Sequence, residues 1–145
     1  MIVNKFILFI KDYKLMNYLG IDYGDKRIGL AKATGETKIA TPFTTISNDG
    51  GVFELIARII NVENVDIVVI GIPISFDGTE NDFAREIRGF GEKITSITGK
   101  QVEFENEIFS SKIASDQPKN ELTQAKKIDE SSAAIILQSH LDKAS

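Results

Sequence analysis

With 145 residues, 42% of them apolar and 26% charged, the chain has the length of one domain with a sizeable core, and its composition excludes disordered and collagen-like classes. The chain has no cysteine and a single histidine, His140, which excludes disulfides, thiolate nucleophiles and cysteine-bound zinc and makes most Ser-His-Asp schemes unattractive; carboxylates remain for chemistry. A formal net charge of -4 requires any nucleic-acid binding to draw on local basic patches.

Residues 1–15 read as an N-terminal extension, set apart from a single domain over residues 16–145. Its apolar run Phe6-Ile7-Leu8-Phe9-Ile10 is too short to span a bilayer, and no small-residue cleavage site follows. Neither a membrane anchor nor a signal peptide is expected, and a cytoplasmic location fits the lack of cysteine. Met16 directly precedes the first strong element, so residues 1–15 are either an upstream start or an extra strand or helix.

The first strand is expected over residues 18–22, where Tyr18, Leu19 and Ile21 are apolar and Asp22 stands at the end. An acid at the tip of a buried strand costs free energy unless a cation or donor compensates it, although a lone Asp-X-Gly is more simply a turn aspartate. A tight turn at Gly24-Asp25 leads into an antiparallel second strand over 27–33. Residues 37–46 read as a third strand, with Pro42 marking an edge or a bulge. Asp49 then caps a helix carrying Val52, Leu55, Ile56, Ile59 and Ile60.

The β-branched run over 66–71 suits a central parallel strand covered on both faces. After a loop at Pro73 and a turn at Asp77-Gly78, Thr79-Glu80-Asn81-Asp82 resembles a capping box. The helix it opens places Phe83, Ile87, Phe90, Ile94 and Ile97 on a core stripe and stops at Gly99. A strand over 101–105 follows, then a short helix over 110–114 and a polar loop or lid over 116–127. A last helix runs from about residue 129 to 141, with Ala133, Ile136, Leu137 and Leu141 on one face. This order predicts an α/β fold, a mixed five-stranded sheet with helices on both faces, whose ligands collect at the carboxyl ends of the parallel strands.

Three motifs then carry a family resemblance. They are Gly20-Ile21-Asp22-Tyr23-Gly24-Asp25-Lys26-Arg27-Ile28-Gly29-Leu30-Ala31; Val69-Ile70-Gly71-Ile72-Pro73 with Asp77-Gly78-Thr79-Glu80; and Ile128-Asp129 with Ala133, Ile136-Leu137-Gln138 and Leu141. In this order and spacing the chain resembles the bacterial YqgF family, also called RuvX, of the ribonuclease H-like superfamily. Its members are described as Holliday junction resolvases and as nucleases maturing the 5′ end of pre-16S rRNA. One motif departs: Asn106-Glu107-Ile108-Phe109-Ser110-Ser111 stands where the family usually has Asp-Glu-Arg-Leu-Thr-Thr. The glutamate is kept at Glu107, while the missing arginine leaves Lys112 or another cation to compensate, or leaves a degenerate RNA- or ribosome-assembly-binding protein.

The resemblance implies a metal-dependent phosphodiester hydrolase with Asp22, Glu107 and Asp129 as catalytic and metal-holding acids. Mg²⁺ or Mn²⁺ is the implied cofactor. Such chemistry uses two ions about 3.5–4 Å apart held by carboxylates from different elements, with Asp22 between both ions. Each acid has a plainer reading: Asp129 as the cap of the last helix, and Glu105 rather than Glu107 as the ligand, since the two share a strand face. Lys26, Arg27, Lys112, Lys126 and Lys127 are candidate nucleic-acid contacts, with Arg85 and Arg88 behind them, while Tyr18 and Tyr23 read as packing residues. The loop over 75–79 either offers N–H groups to a phosphate or simply caps a helix. The expected partner is nucleic acid, pre-16S rRNA first and branched DNA second, bound by a monomer or a weak homodimer.

Overall fold

The computed structural model describes residues 16–75, 77–107 and 122–143. The N-terminal extension, the short helix over 110–114, Lys112 and the first part of the expected lid lie outside the described residues. The elements run β1 (Asn17–Tyr23), β2 (Arg27–Thr34), β3 (Thr41–Ser47), α1 (Val52–Val62), β4 (Ile67–Ile72), α2 (Asp82–Thr98), β5 (Gln101–Asn106) and α3 (Leu122–Lys143). The five strands form one mixed sheet in the order β3-β2-β1-β4-β5. β1 pairs antiparallel with β2 and parallel with β4, and β5 lies parallel to β4.

Strand alternation divides the sheet between two cores. Leu19, Ile21, Ile28, Leu30, Val68, Ile70 and Ile72 face α1 and α2 and pack with Ile56, Ile60, Ile87 and Ile94. Ala31, Ala33 and Val69 face α3 and pack with Ala133, Ile136, Leu137 and Leu141. The second core uses small residues, so α3 lies close to the sheet. A Cβ at Gly20 would sit 2.8 Å from Leu137 Cβ, and one at Gly29 only 2.0 Å from the carbonyl oxygen of Asp129. Only glycine fits at Gly29 without moving the helix.

Several boundaries differ from the sequence reading, each for a local reason. β3 begins at Thr41, because Lys38 takes a positive φ of 55° and its N–H donates to Thr34 O, closing a turn before the ladder starts. Pro42 lies on an edge strand and beside a bulge: the register with β2 passes from Leu30–Thr44 to Ala31–Pro42, leaving Phe43 as the extra residue. Asp49 is not the cap of α1; its carboxylate accepts from Gly51 N, two residues on, and the helix starts without a side-chain cap. The cap of α2 is Asn81, whose side chain accepts from Ala84 N at 2.8 Å, while Thr79 is bonded to Asp77. Gly99 ends α2 as expected, in the left-handed region at φ 74°.

The stripe on α2 is shorter than its spacing suggests. Ala84, Ile87, Phe90, Gly91 and Ile94 are buried, whereas Phe83 and Ile97, near the helix ends, are 38% and 51% exposed. The largest difference is α3, which begins at Leu122 rather than near residue 129. Residues 122–127 are polar but rich in good helix formers and lack Gly or Pro, so propensity extends the helix into the expected lid. Among the described residues no helix is long and apolar enough to cross a membrane.

At the β5 edge the sheet buries a charge. Glu105, 4% exposed, accepts hydrogen bonds from Ser139 Oγ and Lys143 Nζ, and His140 bridges it to Glu103, 2.6 Å from Nε2. Lys143 is 66% exposed and returns to water cheaply, whereas Glu105 does not. Lys143→Met is therefore expected to destabilise the fold by about 1–2 kcal/mol, and Glu105→Met by less than about 1 kcal/mol. Urea unfolding midpoints at constant m-value check the asymmetry; equal losses refute it.

Candidate active site

Three acids are brought to one end of the sheet by three different elements. Asp22 is the penultimate residue of β1, at the carboxyl end of the middle strand. Glu107 follows β5, and its N–H donates to Ile72 O at 3.2 Å, which ties it beside the carboxyl end of β4. Asp129 lies on α3, whose backbone at that residue rests on Gly29, and Gly29 is the cross-strand partner of Asp22. At Gly71 a Cβ would come 2.9 Å from Glu107 Oε2 and 2.5 Å from Ile136 Cδ1, so the missing side chain leaves the space that Glu107 enters.

The charges of these acids act on one another. Burial, and then the negative charge of Asp129, push the Asp22 carboxyl up to about 7. Burial, and then the charge of Asp22, push Glu107 up to about 7. Asp129 is differently placed, because Arg27 Nε donates to its Oδ2 at 2.7 Å. The site thus contains two mutually repelling carboxyls and a third that is already paired. Hard oxygen donors in this number suit Mg²⁺ or Mn²⁺, and a divalent ion would relieve the repulsion. Among the described residues, however, no three acid or histidine side chains stand close enough to enclose an ion as they are. With Arg27 on Asp129, that carboxylate is engaged elsewhere.

The remaining candidates separate by their contacts. Asp129 is not the cap of α3, since the helix starts seven residues earlier, at Leu122. Glu105 is held by Ser139, His140 and Lys143, leaving Glu107 as the glutamate that feels Asp22. Lys26, Lys126 and Lys127 are exposed, and the last two belong to α3 rather than to a loop. Lys112 lies outside the described residues. Arg85 pairs with Asp82, and Arg88 pairs with Glu80 while lying over the Phe104 ring at 4.9 Å, so both have structural partners. In the 75–79 loop, Ser75, Gly78 and Thr79 all spend their N–H groups inside the loop, which favours the plain turn. Tyr23 packs on Phe90 with ring centroids 4.7 Å apart, and Tyr18 packs against the α3 core.

Sequence reasoning missed the Arg27–Asp129 pair and the role of Gly29. Both were within reach of strand alternation: Arg27 and Gly29 share a face, and the turn register sets Gly29 opposite Asp22.

A mixed five-stranded sheet in this order, with helices on both faces and acids gathered at one end, has the ribonuclease H-like fold. Solved structures share the fold: T. thermophilus RuvC in complex with Holliday junction substrate matches with TM-score 0.58 at 13% identity, covering 89% of this chain and 95% of that one. The fowlpox virus resolvase in complex with Holliday junction DNA matches with TM-score 0.54 at 16% identity, covering 89% and 99%. Residues 16–143 match the RuvX family, described as Holliday junction resolvase, and the chain belongs to that family. A relative from Sulfurihydrogenibium sp. (strain YO3AOP1) is 37% identical over 132 residues, covering 88% of this chain and 90% of its own. One from Anaeromyxobacter sp. (strain Fw109-5) is 34% identical over 133 residues, covering 88% and 97%; both carry the name "Putative pre-16S rRNA nuclease". The protein is thus an enzyme of the nuclease class, a phosphodiester hydrolase.

The raised carboxyls make a pH prediction. Folded Asp22 and Glu107 hold protons up to about pH 7, whereas their ordinary values are 3.8 and 4.5. Between those limits the folded chain binds more protons than the unfolded one, so metal-free stability falls as pH rises and levels off above about 7. Asp22→Asn should therefore raise the metal-free melting temperature at pH 8 and change it little at pH 4. Melting curves at both pH values check this; an equal shift at both would remove the repulsion argument.

Proposed function

We propose that this enzyme is a divalent-metal-dependent nuclease that trims the 5′ end of pre-16S rRNA during ribosome maturation in the cytoplasm. The observation that carries the reading is the meeting of Asp22 and Glu107, both pushed up to about 7, beneath Asp129 on α3. Asp22, Glu107 and Asp129 would hold Mg²⁺ or Mn²⁺, with Asp22, central in the sheet, between the other two. When bound, the ions supply positive charge at the attacking and leaving oxygens of the phosphodiester. The protein's own contribution is to fix three carboxylates on rigid elements and to close the site from one side with α3.

Substrate binding falls to the exposed cations around the acids, Lys26 before β2 and Lys126 and Lys127 on the first turns of α3. Their phosphate contacts would be insensitive to sequence. A second reading, cleavage of four-way DNA junctions, is favoured by the description of the family. Symmetric cutting of such a junction needs two sites in a dimer, whereas trimming one RNA strand needs one. The names of the relatives support RNA. Asn106, where the resemblance expects Asp, ends β5 opposite Ile72, is exposed and directly precedes Glu107.

The test is a cleavage assay with Mg²⁺ or Mn²⁺ that offers a pre-16S leader RNA and a mobile four-way junction in parallel. Cutting of the leader alone is expected, Asp22→Asn should abolish it, and Glu107→Gln should cost far more than Glu105→Gln. Full activity of a clean Asp22→Asn preparation would refute the reading, and cutting of the junction alone would shift it to DNA.

The double variant Lys126→Ala/Lys127→Ala should weaken all nucleic acids together and lower the log–log salt slope of binding by about one to two. Cleavage at saturating substrate should fall much less. An unchanged slope would show that these lysines face solvent without contacting the backbone of the substrate.

A further inference from the structure

The contact left unexplained by nuclease chemistry is the one between Arg27 and Asp129. Arg27 Nε donates to Asp129 Oδ2 at 2.7 Å across 102 residues of sequence, with side-chain exposures of 34% and 23%. A structural staple between β2 and α3 is the plain explanation. That junction, though, is already held by the backbone of Asp129 on Gly29 and by Ala31 and Ala33 against Ala133 and Leu137. The pair adds little to docking that packing does not supply.

Its charge does add something. Asp129 lies close enough to Asp22 to raise it, and Asp22 in turn raises Glu107. Without a cation the three carboxylates would repel one another through a half-buried space. A guanidinium does not lose its proton at any working pH, and its planar fork suits a carboxylate. It also cannot share a carboxylate with a divalent cation at no cost, because the two positive charges repel.

We propose that Arg27 is a stand-in cation: it holds Asp129 in the metal-free site and competes with the divalent ion for that carboxylate. The proposal rests on the reading of Asp129 as a metal-holding group. Arg27 is then a positioning residue that sets the affinity of the site for metal, so the ion takes Asp129 only by displacing the guanidinium.

Calorimetric titration of the intact chain with Mn²⁺, and melting temperatures with and without Mn²⁺, test this directly. Arg27→Gln is expected to lower the metal-free melting temperature, to raise metal affinity about five- to tenfold, and so to enlarge the metal-induced rise in melting temperature. Arg27→Lys, which keeps the charge but not the fork, should give a smaller gain. In an Asp129→Asn background Arg27→Gln should change the affinity less than about twofold, since the competed carboxylate is gone. A loss of stability equal with and without Mn²⁺, at unchanged affinity, would make Arg27 a staple and overturn the proposal. A gain that persists in Asp129→Asn would also overturn it, by pointing to long-range charge. If the wild-type chain binds Mn²⁺ in these cases, the nuclease reading stands; if it binds none, both fall.

Discussion

The close approach of α3 to the sheet is the constraint on which the rest depends. Gly20 and Gly29 remove two side chains from the face of β1 and β2, and alanines at Ala31 and Ala33 keep the next positions small. The helix therefore rests with its backbone on the strands, and the carbonyl of Asp129 sits where a Cβ of residue 29 would be. Larger residues would lift the helix and carry Asp129 away from Asp22. The small-residue core is thus also the device that assembles the site.

The two faces of the sheet serve different ends. The face under α1 and α2 is built from Leu19, Ile21, Ile28, Leu30, Val68, Ile70 and Ile72, large side chains that fill volume and supply most of the hydrophobic stabilisation. The face under α3 carries Asp22, Arg27 and Glu105 among glycines and alanines, and its polar groups are matched across the interface by Asp129, His140 and Lys143. Buried charge at the β5 edge is satisfied by hydrogen bonds, whereas the acids at the strand ends repel. A protein that keeps two carboxyls at about 7 gives up stability at neutral pH at that spot, a pattern common where a site is arranged for a cation or for proton chemistry.

The sequence by itself determined the fold and singled out Asp22 and Asp129, with Glu105 and Glu107 left as alternatives for the third acid. Period-two alternation, the glycine turn after Asp22 and the β-branched run before Gly71 defined the sheet, and three motifs in order pointed to the family that the match over residues 16–143 establishes. The start of α3 was legible only in part. Polar composition suggested a lid over 116–127, while helix propensity, a weaker cue, extends the helix back to Leu122 and removes Asp129 from the cap. What only the tertiary structure decided is how charges meet: that Arg27 faces Asp129 rather than solvent, that Glu105 is claimed by Ser139, His140 and Lys143, and that Glu107 is left beside Asp22. The reason is physical. Alternation along a strand tells which face a side chain takes, but an ion pair depends on distances of a few ångströms between elements a hundred residues apart, and those are set by how closely the helix can pack on glycine.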